Sequence, residues 1–203
     1  MMRLIGSYTS PFVRRVGVTL RLHGLAFTQV PYATDEDATA IRAYNPLGRV
    51  PVLVLEHGEV LLDSSMIVDH LDELVGPERA LTPRGGPARL HVNRLVALAL
   101  GATEKYLAAY HERNARPEAQ TWPRWLERLE AQAHAGLAAL DGMAGTPWCG
   151  GEAFTQADIC VTVALWAMRF DMPHLAPFGR FPGLDAIAAA AEKLEAFVAT
   201  RPR

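Results

Sequence analysis

Apolar residues recur along this chain with two different rhythms, and the change between them divides it. In the first third, short apolar runs alternate with segments of helical spacing. Residues 3–7 read as a strand. Residues 11–23 carry the three-to-four step of a helix and stop at Gly24, a residue favoured just past a helix end. Residues 26–32 predict a second strand, and residues 36–44 a short helix or irregular segment. The β-rich runs 51–56 and 59–62 flank His57-Gly58 and predict a hairpin. Helical spacing returns over residues 64–75. The predicted order is βαβ, then α, then ββα.

After residue 75 the strand signals end. Residues 76–87 hold Gly76, Gly85, Gly86, Pro77, Pro83 and Pro87, the composition of a connection between domains. Beyond it every pattern is helical. Residues 90–113 predict one long helix. Trp122, Leu126, Leu129, Ala133, Leu137 and Leu140 step by threes and fours along one apolar face. Residues 159–170 are apolar on nearly every side, as in a buried helix. Leu184, Ile187, Ala191, Leu194 and Val198 predict a last amphipathic helix. Thr155 stands three residues before Asp158, the spacing of a capping box, with Phe154 and Ile159 placed as a hydrophobic staple. This gives Asp158 a structural role.

Composition narrows the function classes. The 203 residues carry 20 basic and 22 acidic side chains, so neither a nucleic-acid surface nor a membrane surface is implied. The first residues lack the apolar stretch of a signal peptide, and no run reaches the roughly 20 apolar residues that span a bilayer. Two cysteines, Cys149 and Cys160, make neither a CxxC pair nor a disulfide framework, which suits a reducing cytoplasm. The seven histidines show no metal-ligand spacing.

Four strings, in this order and at these separations, resemble the glutathione transferase superfamily along essentially the whole chain. They are residues 6–15 (GSYTSPFVRR), 45–53 (NPLGRVPVL), 62–65 (LDSS) and the Thr155–Asp158 cap. The first is most similar to bacterial serine-type members. The resemblance implies an α/β thioredoxin-like N-terminal domain (1–77), a linker (78–87) and an all-α helical-bundle domain (88–203) that contributes the electrophile pocket.

Ser10 precedes Pro11 at the predicted start of the first helix. Serine is a favoured N-cap and proline a favoured first residue, so the pair has a purely structural reading. The same geometry suits catalysis, because a helix N-terminus favours a bound anion. A thiol of pKa about 8.5 needs roughly 2.7 kcal/mol to fall by two units. One charge-assisted hydrogen bond supplies about 1.5–3 kcal/mol. Ser10 is therefore the candidate for activating the glutathione thiol, with Tyr8 and Thr9 as rivals.

The resemblance also implies a glutathione-binding set of Phe12, Arg49, Val50, Pro51, Asp63 and Ser64. Val50-Pro51 matches the cis-proline of thioredoxin-like folds, where the backbone of the preceding residue pairs with the cysteinyl backbone of glutathione. Arg49 meets the glycine carboxylate or is an exposed loop arginine. Asp63 faces the γ-glutamyl ammonium and Ser64 its carboxylate; the rival reading is an N-cap, and Ser65 shares either role. Tyr106, Tyr110 and His111 lie on the helix that lines the acceptor pocket in the family; packing roles are equally open for each. Trp122, Trp125 and Trp166 read as core or helix-packing residues, and Cys160 as a small core residue.

The expected activity is transfer of glutathione, the cosubstrate, to a small hydrophobic electrophile in a cytoplasmic homodimer, with neither metal nor nucleotide. A glutathione-dependent disulfide or peroxide reductase is one alternative, although a serine at position 10 cannot form a mixed disulfide. A non-catalytic regulatory module of the same fold is the other.

Overall fold

The computed structural model describes residues 1–202 and groups them into two compact units. One comprises Met1–Arg84 together with the stretch from Glu192 onward; the other is Gly85–Ala191.

The first unit is built on a four-stranded mixed sheet. Strands β1 (Met2–Ile5), β2 (Phe27–Val30), β3 (Val52–Val54) and β4 (Val60–Leu62) lie in the order β2-β1-β3-β4. β1 and β2 are parallel, and the other two pairings are antiparallel. Helices α1 (Pro11–Leu22), α2 (Ala38–Arg42) and α3 (Ser64–Val75) complete the predicted order. Alternation along the strands fills two cores. Leu4 and Leu53 face the same way and pack with Val13, Val16 and Leu20 of α1 and Ile67 and Leu71 of α3. Ile5, Val52 and Val54 point to the other face.

The strands are shorter than their apolar runs suggested, for local reasons. β1 ends at Gly6, whose φ of +127° leaves the extended region. β2 ends where the Tyr32 N–H folds back onto the Val30 carbonyl around Pro31. β3 gives way to a turn in which the Gly58 N–H donates to the Leu55 carbonyl.

A buried carboxylate ties the end of this unit together. Asp72 accepts from the Leu81 and Thr82 N–H groups at 2.9 and 3.0 Å and meets His23 Nε2 at 3.0 Å. The Arg79 guanidinium donates to the His23 carbonyl. Burial by itself would raise the Asp72 carboxyl, but the hydrogen bonds from His23, Leu81 and Thr82 outweigh it and hold the group below the usual carboxylate range. A depressed pKa contributes stability that is present near neutrality and lost as pH falls through it. Asp72→Asn is therefore expected to cost about 1–3 kcal/mol at pH 7 and to flatten the acid limb of stability against pH. Urea melts at several pH values measure both; parallel acid limbs would refute the assignment.

The second unit is helical. It contains α4 (Gly86–Asn114), α5 (Pro123–Met143), α6 (Gln156–Asp171) and α7 (Pro182–Ala191), with one 3-10 turn at Glu118–Gln120. α4 packs on α5 and α6, and α7 packs on α5 and α6. α4 begins four residues before its apolar pattern does, because Pro87 occupies its first turn. On α5 the buried face is Leu129, Ala133, Leu137 and Leu140, as the spacing predicts. Trp122 departs from that reading. It caps α5 ahead of Pro123 and stands 61 % exposed, and Trp125 is exposed as well. α6 is buried almost all round, Cys160 included; Phe170, near its end, is exposed and stacks on Trp166 at 5.2 Å.

The capping box forms. Thr155 accepts from the first turn of α6, and the Asp158 carboxylate accepts from the Thr155 N–H at 2.8 Å. Its other oxygen takes the Cys149 N–H at 2.7 Å.

The predicted last helix is broken in two. After α7 the chain turns at 192–194, and a short α8 (Glu195–Val198) follows in the first unit. The turn carries Glu192 to Arg14, whose Nη2 donates to Glu192 Oε1 at 2.8 Å and to the Phe197 carbonyl at 3.3 Å. No helix among the described residues is long and apolar enough to cross a membrane.

Candidate active site

The site is assembled from three chain segments of the first unit: the β1–α1 loop, the approach to β3, and the start of α3.

Ser10 is the N-cap of α1. Its φ and ψ of −72° and 121° are those of a cap, and its Oγ lies 3.5 Å from the Val13 nitrogen. Pro11 occupies the first helical position, and the first turn contains no acidic residue. The positive end of α1 is thus not neutralised by its own sequence. Ser10 and the following Phe12 are partly exposed.

The two rivals of Ser10 are engaged elsewhere. The Tyr8 ring lies along α1, away from its N-terminus. A Cβ placed on Gly17 would stand 2.5 Å from the ring and 3.0 Å from the Tyr8 hydroxyl oxygen. Gly17 is about 10 Å along the helix from Ser10. Burial pushes the Tyr8 phenol above its ordinary range, and Arg21 only partly opposes this. Thr9 is exposed, and its hydroxyl donates to Ser7 Oγ at 3.0 Å.

Gly6 allows the first two segments to meet. A Cβ there would lie 2.5 Å from Val13 Cγ2 and 3.0 Å from Val50 Cβ, so α1 and Val50 close over a bare backbone. The Val50–Pro51 bond is cis. The preceding loop is clamped by Asn45, whose Nδ2 donates to the Arg49 carbonyl (2.8 Å) and whose Oδ1 accepts from the Leu47 N–H (3.0 Å). Arg49 itself is exposed.

Asp63 caps α3 with φ 68°, the one described non-glycine residue with positive φ. Such a conformation costs on the order of 1–3 kcal/mol and recurs at functional sites. Its Oδ1 accepts from the Ser65 N–H at 2.7 Å. Ser64, the first residue of α3, is buried. No sequence motif marks its partner. Arg15, 3 % exposed, donates from Nη1 to Ser64 Oγ (3.1 Å) and Ser65 Oγ (3.2 Å). The signal is present as the second of the adjacent arginines Arg14 and Arg15 in a largely apolar helix, but charge alone does not reveal burial.

The three residues expected to line an acceptor pocket lie on α4. Tyr106 is fully buried among the helices of the second unit, and its hydroxyl meets Asp171 Oδ2 at 3.3 Å. Burial and the adjacent Asp171 push its phenol far above the usual range. Tyr110 and His111 pack edge to face at 5.6 Å; Tyr110 is half-buried and His111 exposed. Among the described residues, no three His, Cys, Asp or Glu side chains are grouped to hold a metal ion.

Comparison with known proteins adds to this geometry. Residues 4–79 match the model of the glutathione S-transferase N-terminal domain, and residues 123–199 that of the C-terminal domain. The chain is 34 % identical over 186 residues to the GST-like protein YibF of Escherichia coli K12, covering 86 % of this chain and 90 % of that one. It is 30 % identical to a maleylacetoacetate isomerase of Pseudomonas aeruginosa, over 82 % of this chain and 81 % of the relative. Among solved structures, a glutathione S-transferase of Methylobacillus flagellatus with GSH bound superposes with TM-score 0.92 at 33 % identity, each chain fully covered. A glutathione S-transferase of Methylobacterium radiotolerans in complex with glutathione sulfonate gives 0.92 at 30 % identity, covering 99 % and 94 %.

Proposed function

This chain belongs to the glutathione S-transferase family, and on that premise we propose that it binds glutathione and ionises its thiol beside Ser10 for attack on a small hydrophobic electrophile. The observation that carries the reading is the position of the Ser10 hydroxyl at the positive end of α1, with the Tyr8 hydroxyl buried against Gly17. A thiolate placed there takes a hydrogen bond from Ser10 and the field of the helix end. Val50 offers its backbone to the cysteinyl residue, Arg49 reaches the glycine carboxylate, and Phe12 packs beside the tripeptide. Asp63 takes the γ-glutamyl ammonium and Ser64 the neighbouring carboxylate. Relatives of high structural similarity that were solved with glutathione or glutathione sulfonate bound support the glutathione reading as such. The electrophile pocket on α4, a homodimeric state, a cytoplasmic setting and a role in detoxification belong to the same proposal.

Similarity to maleylacetoacetate isomerases favours a second reaction on the same thiolate. Addition to an activated double bond, rotation about the resulting single bond and expulsion of the thiolate would isomerise a substrate and return glutathione. Conjugation consumes glutathione; isomerisation does not. A glutathione-dependent reductase and a regulatory module rank below both. The first lacks a cysteine at position 10, and the second leaves the Ser10 and Asp63–Ser64 arrangement without a use.

The test is titration of the protein with glutathione near neutral pH while thiolate absorbance is followed. The expected result is saturable binding with at least half of the bound thiol ionised, against a few per cent in solution. Binding without thiolate would leave the regulatory reading, and no binding would refute the proposal.

A further inference from the structure

A buried cation stands directly behind the serine pair that opens α3. Arg15 lies on the second turn of α1, and its single Nη1 atom donates to both Ser64 Oγ and Ser65 Oγ, at 3.1 and 3.2 Å. A serine hydroxyl has two acceptor positions and one proton. With a guanidinium filling an acceptor position, each proton turns away from Arg15. Ser65 is fixed further because its N–H is held by Asp63 Oδ1, and Asp63 by its left-handed backbone. The first N–H groups of α3 have no partner within the helix, and its first turn carries no acidic residue. Two oriented hydroxyls, helix N–H groups and a fixed positive charge of low solvent access therefore converge on one end of α3.

We propose that Arg15 is the positioning residue of the γ-glutamyl subsite: it sets the Ser64 and Ser65 hydroxyls as outward donors and places its charge behind the α-carboxylate of glutathione. The inference rests on the glutathione reading above and deepens it, because it assigns the recognition of one ligand group to one arginine. Arg15 touches neither the thiol nor the substrate; it acts through the serines. Its charge counts for more than an exposed one would, since little water screens it. A ligand without that carboxylate gains nothing from Arg15.

The experiment compares two ligands on the whole protein by calorimetry. One is glutathione. The other is 4-aminobutyryl-cysteinyl-glycine, which is glutathione without the γ-glutamyl α-carboxylate. Wild type is expected to prefer glutathione, and Arg15→Gln to lose about 10- to 100-fold in glutathione affinity while its affinity for the analogue stays within about twofold. Thiolate formation at saturating glutathione is expected to persist in the variant, because Ser10 is untouched. An equal loss for both ligands would reduce Arg15 to a packing role and overturn the proposal, as would an unchanged glutathione affinity. If Arg15→Gln does not fold, the double variant Ser64→Ala/Ser65→Ala must show the same selective loss, and its absence overturns the proposal. A wild type that binds both ligands equally well overturns this inference alone; one that binds neither overturns the glutathione reading with it.

Discussion

Replacing Ser10 by alanine is expected to raise the pKa of bound glutathione by about one to two units and to lower turnover roughly 10- to 100-fold. The magnitude is that of one hydrogen bond to a charged sulfur, about 1.5–3 kcal/mol, at about 1.4 kcal/mol per factor of ten. Binding should change much less, since the remaining contacts proposed for the tripeptide come from the cis-proline loop and α3. Some stability should also be lost, about 1 kcal/mol, because Ser10 caps α1. Thiolate absorbance against pH separates the two effects: a shifted titration curve with full amplitude reports the thiol, and a lowered melting point reports the cap. Tyr8→Phe is the matched control. The Tyr8 hydroxyl lies against Gly17, about 10 Å along α1, so its removal should leave the curve in place. A curve moved by Tyr8→Phe and not by Ser10→Ala would overturn the assignment.

Asp158→Ala is expected to destabilise the protein by about 3–5 kcal/mol without touching the thiol. Asp158 has no solvent exposure, and its carboxylate takes the Thr155 N–H (2.8 Å), the Thr155 hydroxyl (3.1 Å) and the Cys149 N–H (2.7 Å). Alanine leaves two buried backbone donors without an acceptor, each at about 1–3 kcal/mol, and removes the cap of the most deeply buried helix. Asp158→Asn keeps one oxygen acceptor and should fall between. Urea unfolding gives the numbers. A midpoint within error of wild type would show that the loop and cap do not need this carboxylate. Under native conditions the thiolate curve of Asp158→Ala should match that of wild type, which distinguishes a folding role from a catalytic one.

Periodicity locates nearly every element, because most of the helices bury one face and the sheet of the first unit buries both of its own. α3 runs over the residues its spacing predicts, for its first residue follows a capping aspartate and its last precedes Gly76. The misses have two causes, a contact distant in sequence for the last helix and a neighbouring proline for Trp122. The steps from Leu184 through Ala191 to Val198 suit one helix, but Glu192 is drawn to Arg14 and the helix breaks there. Trp122 fits the apolar stripe by number and falls outside it by one residue, since Pro123 sets where α5 begins. Within the candidate site, the helix-cap geometry was legible where a motif is contiguous, as in Ser10-Pro11 or Asp63-Ser64. Arg15 was not, because the serines it serves are 49 and 50 positions away.

The return of the chain after Glu192 has a consequence for how the protein is made. The ribosome synthesises the sheet and its three helices first, then the whole helical unit, and only then the carboxylate that meets Arg14. Arg14 is completely enclosed in the finished protein. Until Glu192 and Phe197 emerge, that guanidinium lacks the carboxylate and the carbonyl it meets in the finished protein, and enclosing it without them is unfavourable. The half that carries Ser10 is therefore begun first and closed last. Nascent chains stalled before residue 192 should hold α1 loosely, and the end of α1 that carries Ser10 should take its final form only when the C-terminal turn is in place.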